Sequence, residues 1–275
     1  MFSISIVWGK GILVTVDSRS MDPGFPEPRN VRVIIYRGDG RDKPLAVVSG
    51  YGDDSLLSSL FQIAEDVFIE WFDTAGSRSW RNPGELETRR IVSQIEERIL
   101  ERYKDLKNLG ITPNAQLSLA LVTQDGSPKL YYFNEKGLAS PRHQNPGYIV
   151  LGSLTSVAIA EAFIRAVGYS PLESIGLNVG LLSAFMISLA SAVDPGVSPY
   201  IGDSIYMRYD PGENDVVVGS IKDQVLIKMM ERLERRREAI KLLWRAMDIL
   251  GDEREERVLR LLKGLVEGSA SKQEQ

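Results

Sequence analysis

Runs of strand-forming residues alternate with pairs of amphipathic helices along this chain, and their order constrains the fold more tightly than any single motif. Residues 3–8 and 12–16 read as two short strands around Gly9-Lys10-Gly11, the pattern of a hairpin. The Pro/Gly-rich stretch 21–28 reads as a loop. Two further strands, 31–36 and 45–49, flank the turn Arg37-Gly38-Asp39-Gly40. Asp53 then opens a helical pattern in which Leu56, Leu60, Ile63, Val67 and Trp71 recur three or four apart, with Asp53 or Asp54 as the N-cap. A second helix covers 85–109 and ends at Gly110. Strands at 116–123, 129–133 and 148–151 follow, then helices over 153–167 and 172–193, then strands at 203–209 and 215–218. Strand runs separated by helix pairs predict a layered α+β fold, with helix pairs on antiparallel sheets.

Composition narrows the chemistry. The 275 residues include no cysteine, which excludes disulfides, thiolate zinc sites, iron–sulfur clusters and a cysteine nucleophile. The single histidine, His143, excludes a two- or three-histidine metal site. It would have to serve any Ser-His-Asp triad, yet it lies in the loop Pro141-Arg142-His143-Gln144-Asn145-Pro146 and is not read as catalytic. Neither a metal nor another cofactor is expected. With 33 Lys+Arg against 37 Asp+Glu the net charge is −4, so nucleic acid is not an expected partner.

The first residues lack a basic n-region and a small-residue cleavage site, so no signal peptide is read and the expected location is cytoplasmic. Residues 175–193 carry no charge over about 19 positions, enough to span a bilayer. Gly176, Asn178, Gly180, Ser183, Ser188 and Ser191 interrupt the stretch, however. It reads instead as a helix packed on both sides, covered by the fold or by a partner subunit. From residue 221 the pattern changes to a long helix over 222–250, with Leu226, Leu233, Ile240, Leu243 and Trp244 at helical spacing. Gly251 ends it and Asp252 caps a second helix. Residues 222–267 hold 12 basic and 10 acidic side chains, which fits a solvated face. The expected organisation is a main domain at 1–220 and an appended helical hairpin at 221–275.

Four short signatures then stand in order. They are the hairpin from Ile6 through Asp17-Ser18-Arg19, the strand-to-helix turn Val47-Val48-Ser49-Gly50-Tyr51-Gly52-Asp53-Asp54, the run Tyr148-Ile149-Val150-Leu151-Gly152-Ser153 before a helix, and Asp194-Pro195-Gly196 after the next helix. With the strand order, they resemble the proteasome β-subunit family of N-terminal-nucleophile (Ntn) hydrolases over about residues 1–220. The chain starts directly on its first strand, as β-type subunits do. The resemblance implies a four-layer αββα sandwich, two antiparallel sheets covered by helix pairs, here with the C-terminal helical hairpin added.

It also implies a threonine-type endopeptidase chemistry, in which the side chain of the first residue attacks and its own α-amine acts as base, so that no histidine is needed. Carried over by position, Asp17 matches the buried Asp that holds a Lys, Gly50 the glycine whose N–H completes an oxyanion hole, Ser153 the Ser after the Gly, and Asp194 the later Asp. Ser198 is the nearest candidate for the Ser beyond Asp194. Arg32 stands where the Lys belongs; it can pair with Asp17 but does not shuttle protons. Met1 occupies the nucleophile position without a hydroxyl, and the bulky Phe2 behind it predicts that it is retained. Trimming of Met1-Phe2 would expose Ser3 as an alternative nucleophile on the correct side of the pleat, but about 6–7 Å along the strand.

Each residue also has a structural reading. Asp17-Ser18-Arg19 fits a turn with a surface ion pair, Gly50 the close approach of a helix, Arg32 a solvated strand position, and Ser153 a helix N-cap. The expected function is therefore a catalytically impaired proteasome-type subunit, a pseudoenzyme acting in assembly or binding, with copies of itself or related proteasome-type subunits as partners. The alternatives are an active amide hydrolase, peptidase or transpeptidase working through Ser3 on a peptide or protein substrate, and a small-ligand or peptide-binding module using the old cleft.

Overall fold

Alternation in the first hairpin sorts its side chains onto two faces, as the strand period requires. In the computed structural model, which describes residues 1–9, 11–18, 31–38, 41–77, 80–171, 178–221, 223–250 and 256–264, β1 (Ser3–Trp8) and β2 (Gly11–Asp17) pair antiparallel from Ser3↔Val16 to Trp8↔Gly11. They form the middle of a sheet completed by β8 (Tyr148–Leu151) beside β1, and by β9 (Ile201–Asp210) and β10 (Asp215–Ser220) beyond β2. The second sheet runs in chain order through β3 (Val31–Gly38), β4 (Arg41–Gly52), β5 (Ala115–Val122), β6 (Pro128–Phe133) and β7 (Ala139–Pro141). Among the described residues every strand pair is antiparallel.

The two sheets share a core in which Val7, Ile12, Val14 and Ile205 meet Val47, Ala120, Val122 and Leu130. Two buried hydroxyl pairs sit in the same layer, Ser3 with Ser49 and Ser5 with Ser118, each at 2.8 Å. Each hydroxyl satisfies the other, which is the condition for leaving polar groups between sheets. The opposite face of the second sheet places Ile34, Val48, Leu117 and Leu119 in one cluster with Leu57, Leu60 and Phe68 of α1 (Asp54–Trp71) and Ile91, Ile95 and Ile99 of α2 (Glu85–Asn108). Each such side chain contributes about 1.5–3 kcal/mol on burial.

Asp53 caps α1 by accepting from the N–H groups of Ser55 and Leu56, both at 3.0 Å. A π-helical turn, Phe72–Gly76, follows α1. At the start of α2, Arg81 holds Glu87 through two bonds of 2.7 and 2.8 Å while Glu87 accepts from the N–H of Gly84. Two helices follow β8: α3 (Leu154–Ala166), capped by Ser153, and α4 (Val179–Val193), capped by Asn178.

The expected four-layer αββα sandwich of Ntn type with a helical hairpin is corrected. Among the described residues the chain is α+β, with two antiparallel five-stranded sheets and, besides a helix at 256–264, six helical segments, counting the π-helical turn and the long α5 (Asp223–Leu250). Helix pairing in the sequence does not by itself set layers. An outer-layer helix buries one face, as α1 does, whereas α4 is buried at every position from Val179 to Ile187 and beyond. The expected start of that helix at residue 172 lies outside the described residues, as do the loop at 21–28 and the turn at Gly251-Asp252.

By its internal contacts the chain divides into two units, Met1–Asp223 and Gln224–Gln275. In the second, α5 leaves Ile240, Leu242 and Trp244 exposed, and residues 256–264 are also helical. Among the described residues, no helix is long and apolar enough to cross a membrane, and no group of three or more potential ligands is placed to hold a metal ion.

Candidate functional site

A bulge where β2 pairs with β9, between Val16 and Asp17, shapes the start of the site. Such a bulge re-aims the side chain beside it. The Asp17 carboxylate is fully buried and lies against the start of the chain. Its Oδ1 accepts from the N–H of Phe2 at 2.7 Å, and its Oδ2 accepts from the N–H of Ser198 at 3.0 Å. The α-amine of Met1 stands 3.6 Å from the same Oδ2 and donates to the carbonyl of Gly196.

Gly196 links this cluster to a second one. Its N–H donates to Asp194 Oδ1 at 2.8 Å, and Asp194 Oδ2 accepts from the hydroxyl of Ser153. Ser153 in turn lies 3.0 Å from the hydroxyl of Ser156. The Ser153 hydrogen bond, chiefly, holds the Asp194 carboxyl below its usual range, helped by the Gly196 N–H and the charge on the α-amine and opposed by burial. A carboxyl lowered on folding contributes stability that is present above the unfolded value and lost as the pH falls through the folded one. Ser153→Ala is therefore expected to move the Asp194 titration up toward the ordinary aspartate range, read by NMR of the carboxyl carbon. An unmoved titration would show that the hydroxyl is not what holds it.

Met1, Asp17, Ser153, Asp194 and Ser198 thus converge. The convergence also includes Gly196 and Ser156, which the sequence reading did not assign. Gly196 stands inside the quoted Asp194-Pro195-Gly196 turn, so proximity to Asp194 was a signal for it. Two further expected residues, Arg32 and Gly50, make other contacts. Arg32 pairs with Glu65 of α1 at 2.9 Å, with its guanidinium 5.9 Å from the Phe61 ring centre, so the expected pairing with Asp17 is replaced by one with Glu65. Gly50 lies opposite Leu117 in the β4–β5 ladder, where an added Cβ would fall 2.4 Å from a Leu57 methyl carbon and 3.1 Å from the Gln116 carbonyl oxygen. Close helix packing accounts for glycine there.

The first residue carries a thioether in place of a hydroxyl. The Met1 side chain packs against the cluster shared by the second sheet, α1 and α2, and has no proton to give to its own amine. Ser3 is 2% exposed, has its hydroxyl on Ser49, and is paired with both Val16 and Leu151. Removing Met1-Phe2 would also remove the fully buried Phe2 ring and the N–H held by Asp17. His143 lies apart from this cluster. Its Nδ1 is 3.4 Å from the Leu130 carbonyl and burial lowers its pKa. With Glu85, Arg89 and Lys129 it lines a separate cavity of about 490 Å³.

This strand arrangement recurs in solved structures. Anbu (ancestral beta-subunit) from Yersinia bercovieri superposes with a TM-score of 0.60 at 11% identity, covering 90% of this chain and 97% of that one. The fold resembles that of an ancestral beta-subunit. A mutant Anbu from Hyphomicrobium sp. strain MC1 gives a TM-score of 0.59 at 12% identity, over 87% of this chain and 96% of the other. No protein-family model and no curated protein matches the chain. The resemblance drawn from sequence signatures is corrected accordingly. The structural neighbours are Anbu proteins, proteasome-like but distinct, and at 11–12% identity the likeness is one of fold and carries no Ntn-hydrolase assignment.

Proposed function

We propose that this chain is a proteasome-related, beta-subunit-like protein that works by binding or assembly and not by peptide hydrolysis, with Met1 filling the position from which a nucleophile would attack. The observation that carries this reading is the α-amine of Met1 held between Asp17 and the Gly196 carbonyl, with a packed thioether where a hydroxyl would be needed. Asp17, Ser153, Asp194 and Ser198 act here as a frame that fixes the first residue. Arg32 pairs with Glu65 and not with Asp17, beside which the α-amine of Met1 stands. Residues 1–220 form the subunit body and 221–275 a helical extension; the exposed apolar residues of α5 and the fold shared with ancestral beta-subunits support self-association.

Intact-mass measurement of the full chain, with turnover of fluorogenic peptides and light scattering on the same sample, tests the reading. The expected result is a retained Met1, no peptide cleavage and an assembly larger than a monomer. An N-terminus at Ser3 that takes up an acylating inhibitor would overturn it, and a strict monomer would remove the assembly part.

A further inference from the structure

Beyond Gly152 and Ser153 the fold leaves a cavity of about 370 Å³, a volume within the range of small-ligand sites. Gly152 joins it to the N-terminal cluster, since a Cβ at that residue would lie 3.7 Å from the Met1 carbonyl oxygen. The lining is of two kinds. Ile149, Val150, Leu154 and Val157 supply apolar surface, while Tyr51, Gln116, Tyr132 and Arg142 supply hydrogen-bond donors.

Among the described residues these four side chains have no hydrogen-bonding or ionic partner. Tyr51, Gln116 and Tyr132 hydrogen-bond no other described residue through their side chains, and Arg142 forms no ion pair among the described residues. Arg142 is nonetheless held in place. Its N–H donates to the Leu130 carbonyl at 2.7 Å, its carbonyl accepts from the N–H of Gly147 at 2.8 Å, and its guanidinium lies 5.8 Å from the Tyr132 ring centre. A half-buried arginine whose guanidinium lies over a ring, with no counter-ion among the described residues, presents a planar fork of donors suited to a carboxylate. Burial raises the Tyr132 phenol above its ordinary value, so its hydroxyl remains a donor. Glu161, paired with Arg165 at 3.0 Å, also lines the cavity and opposes a second negative charge. One cation with neutral donors and an acidic neighbour suits a monoanion better than a phosphate dianion.

We propose that this cavity binds the carboxylate of a small amphiphilic ligand, either the free C-terminus of a short peptide or a simple organic acid. Arg142 receives the charge, Tyr51, Gln116 and Tyr132 complete the hydrogen bonding, and the apolar residues take the hydrocarbon body. The proposal rests on the cavity and not on the state of Met1, and it is read as binding without turnover.

Calorimetric titration of the full chain tests it with four probes: N-acetyl-dileucine as the free acid, the same dipeptide as its carboxamide, hexanoate, and inorganic phosphate. The free acid is expected to bind about ten-fold or more tightly than the carboxamide. Binding of the dipeptide alone assigns the peptide source, and equal binding of hexanoate assigns a simple acid. Arg142→Gln should abolish the preference for acid over amide. Arg142→Lys, which keeps the charge and loses the fork, should retain part of it and serves if the first variant fails to fold. Equal binding of acid and carboxamide, phosphate binding as tightly as the acid, or no binding of any probe would overturn the proposal.

Discussion

Asp17→Ala is expected to lower the unfolding free energy by about 3 kcal/mol or more, among the largest losses available to a single polar substitution here. The carboxylate is fully buried and accepts from two backbone N–H groups, those of Phe2 and Ser198, that no solvent can reach to replace it. Each orphaned buried donor costs about 1–3 kcal/mol. The Met1 α-amine loses the carboxylate 3.6 Å away at the same time. Asp17→Asn should cost less, because one acceptor oxygen remains, although the new amide NH₂ then faces a donor. Urea unfolding of the full chain reads both, with the midpoint falling at an unchanged slope. A loss under about 1 kcal/mol for Asp17→Ala would mean that water replaces the carboxylate and that the frame around Met1 is not what fixes it.

The second large effect belongs to Gly52, where β4 hands over to α1. Its φ of +136° lies in a region that side chains avoid, and an added Cβ would fall 2.1 Å from the Asn114 carbonyl oxygen and 2.7 Å from the Ala115 Cα. Both neighbours are backbone, and the Asn114 carbonyl already accepts from the N–H of Asp53 at 3.0 Å, so neither can withdraw. Backbone strain and overpacking together put Gly52→Ala at about 3–5 kcal/mol. Gly110→Ala is the control. Its φ of +77° is also positive, but open space surrounds the added carbon, and about 1 kcal/mol is expected. Equal losses for the two variants in the same unfolding assay would show that the contact with Asn114 does not matter.

Local chemistry made much of this molecule legible. The bounds of β1 and β8 and the capping role of Asp53 follow from pattern and side-chain chemistry within a few residues. Strand β7 did not, since Ala139–Pro141 is too short to show alternation and ends in proline. Arg32 was misplaced for a different reason. Its partner Glu65 sits on a helix after the next strand, and strand position alone does not reveal which helix residue a long side chain will meet. The cluster at Met1 was legible only as matching positions along the chain. That the Asp17 carboxylate meets the N–H of Ser198, and that Gly196 joins the amine to Asp194, depend on β2 pairing with β9, a contact no local pattern encodes.

That pairing also imposes an order in time. The second sheet is contiguous from Val31 to Pro141, with α1 and α2 inside the same stretch, so it has all its strands before β8, β9 and β10 are made. The hairpin of β1 and β2 is made first and completed last, because its neighbours begin only at Tyr148 and Ile201. Long-range antiparallel pairing of this kind is slow, since loop closure comes before any contact is gained. The second sheet therefore covers one face of the hairpin through Ser3–Ser49 and Ser5–Ser118, while the hairpin's two hydrogen-bonding edges close only when β8 and β9 arrive.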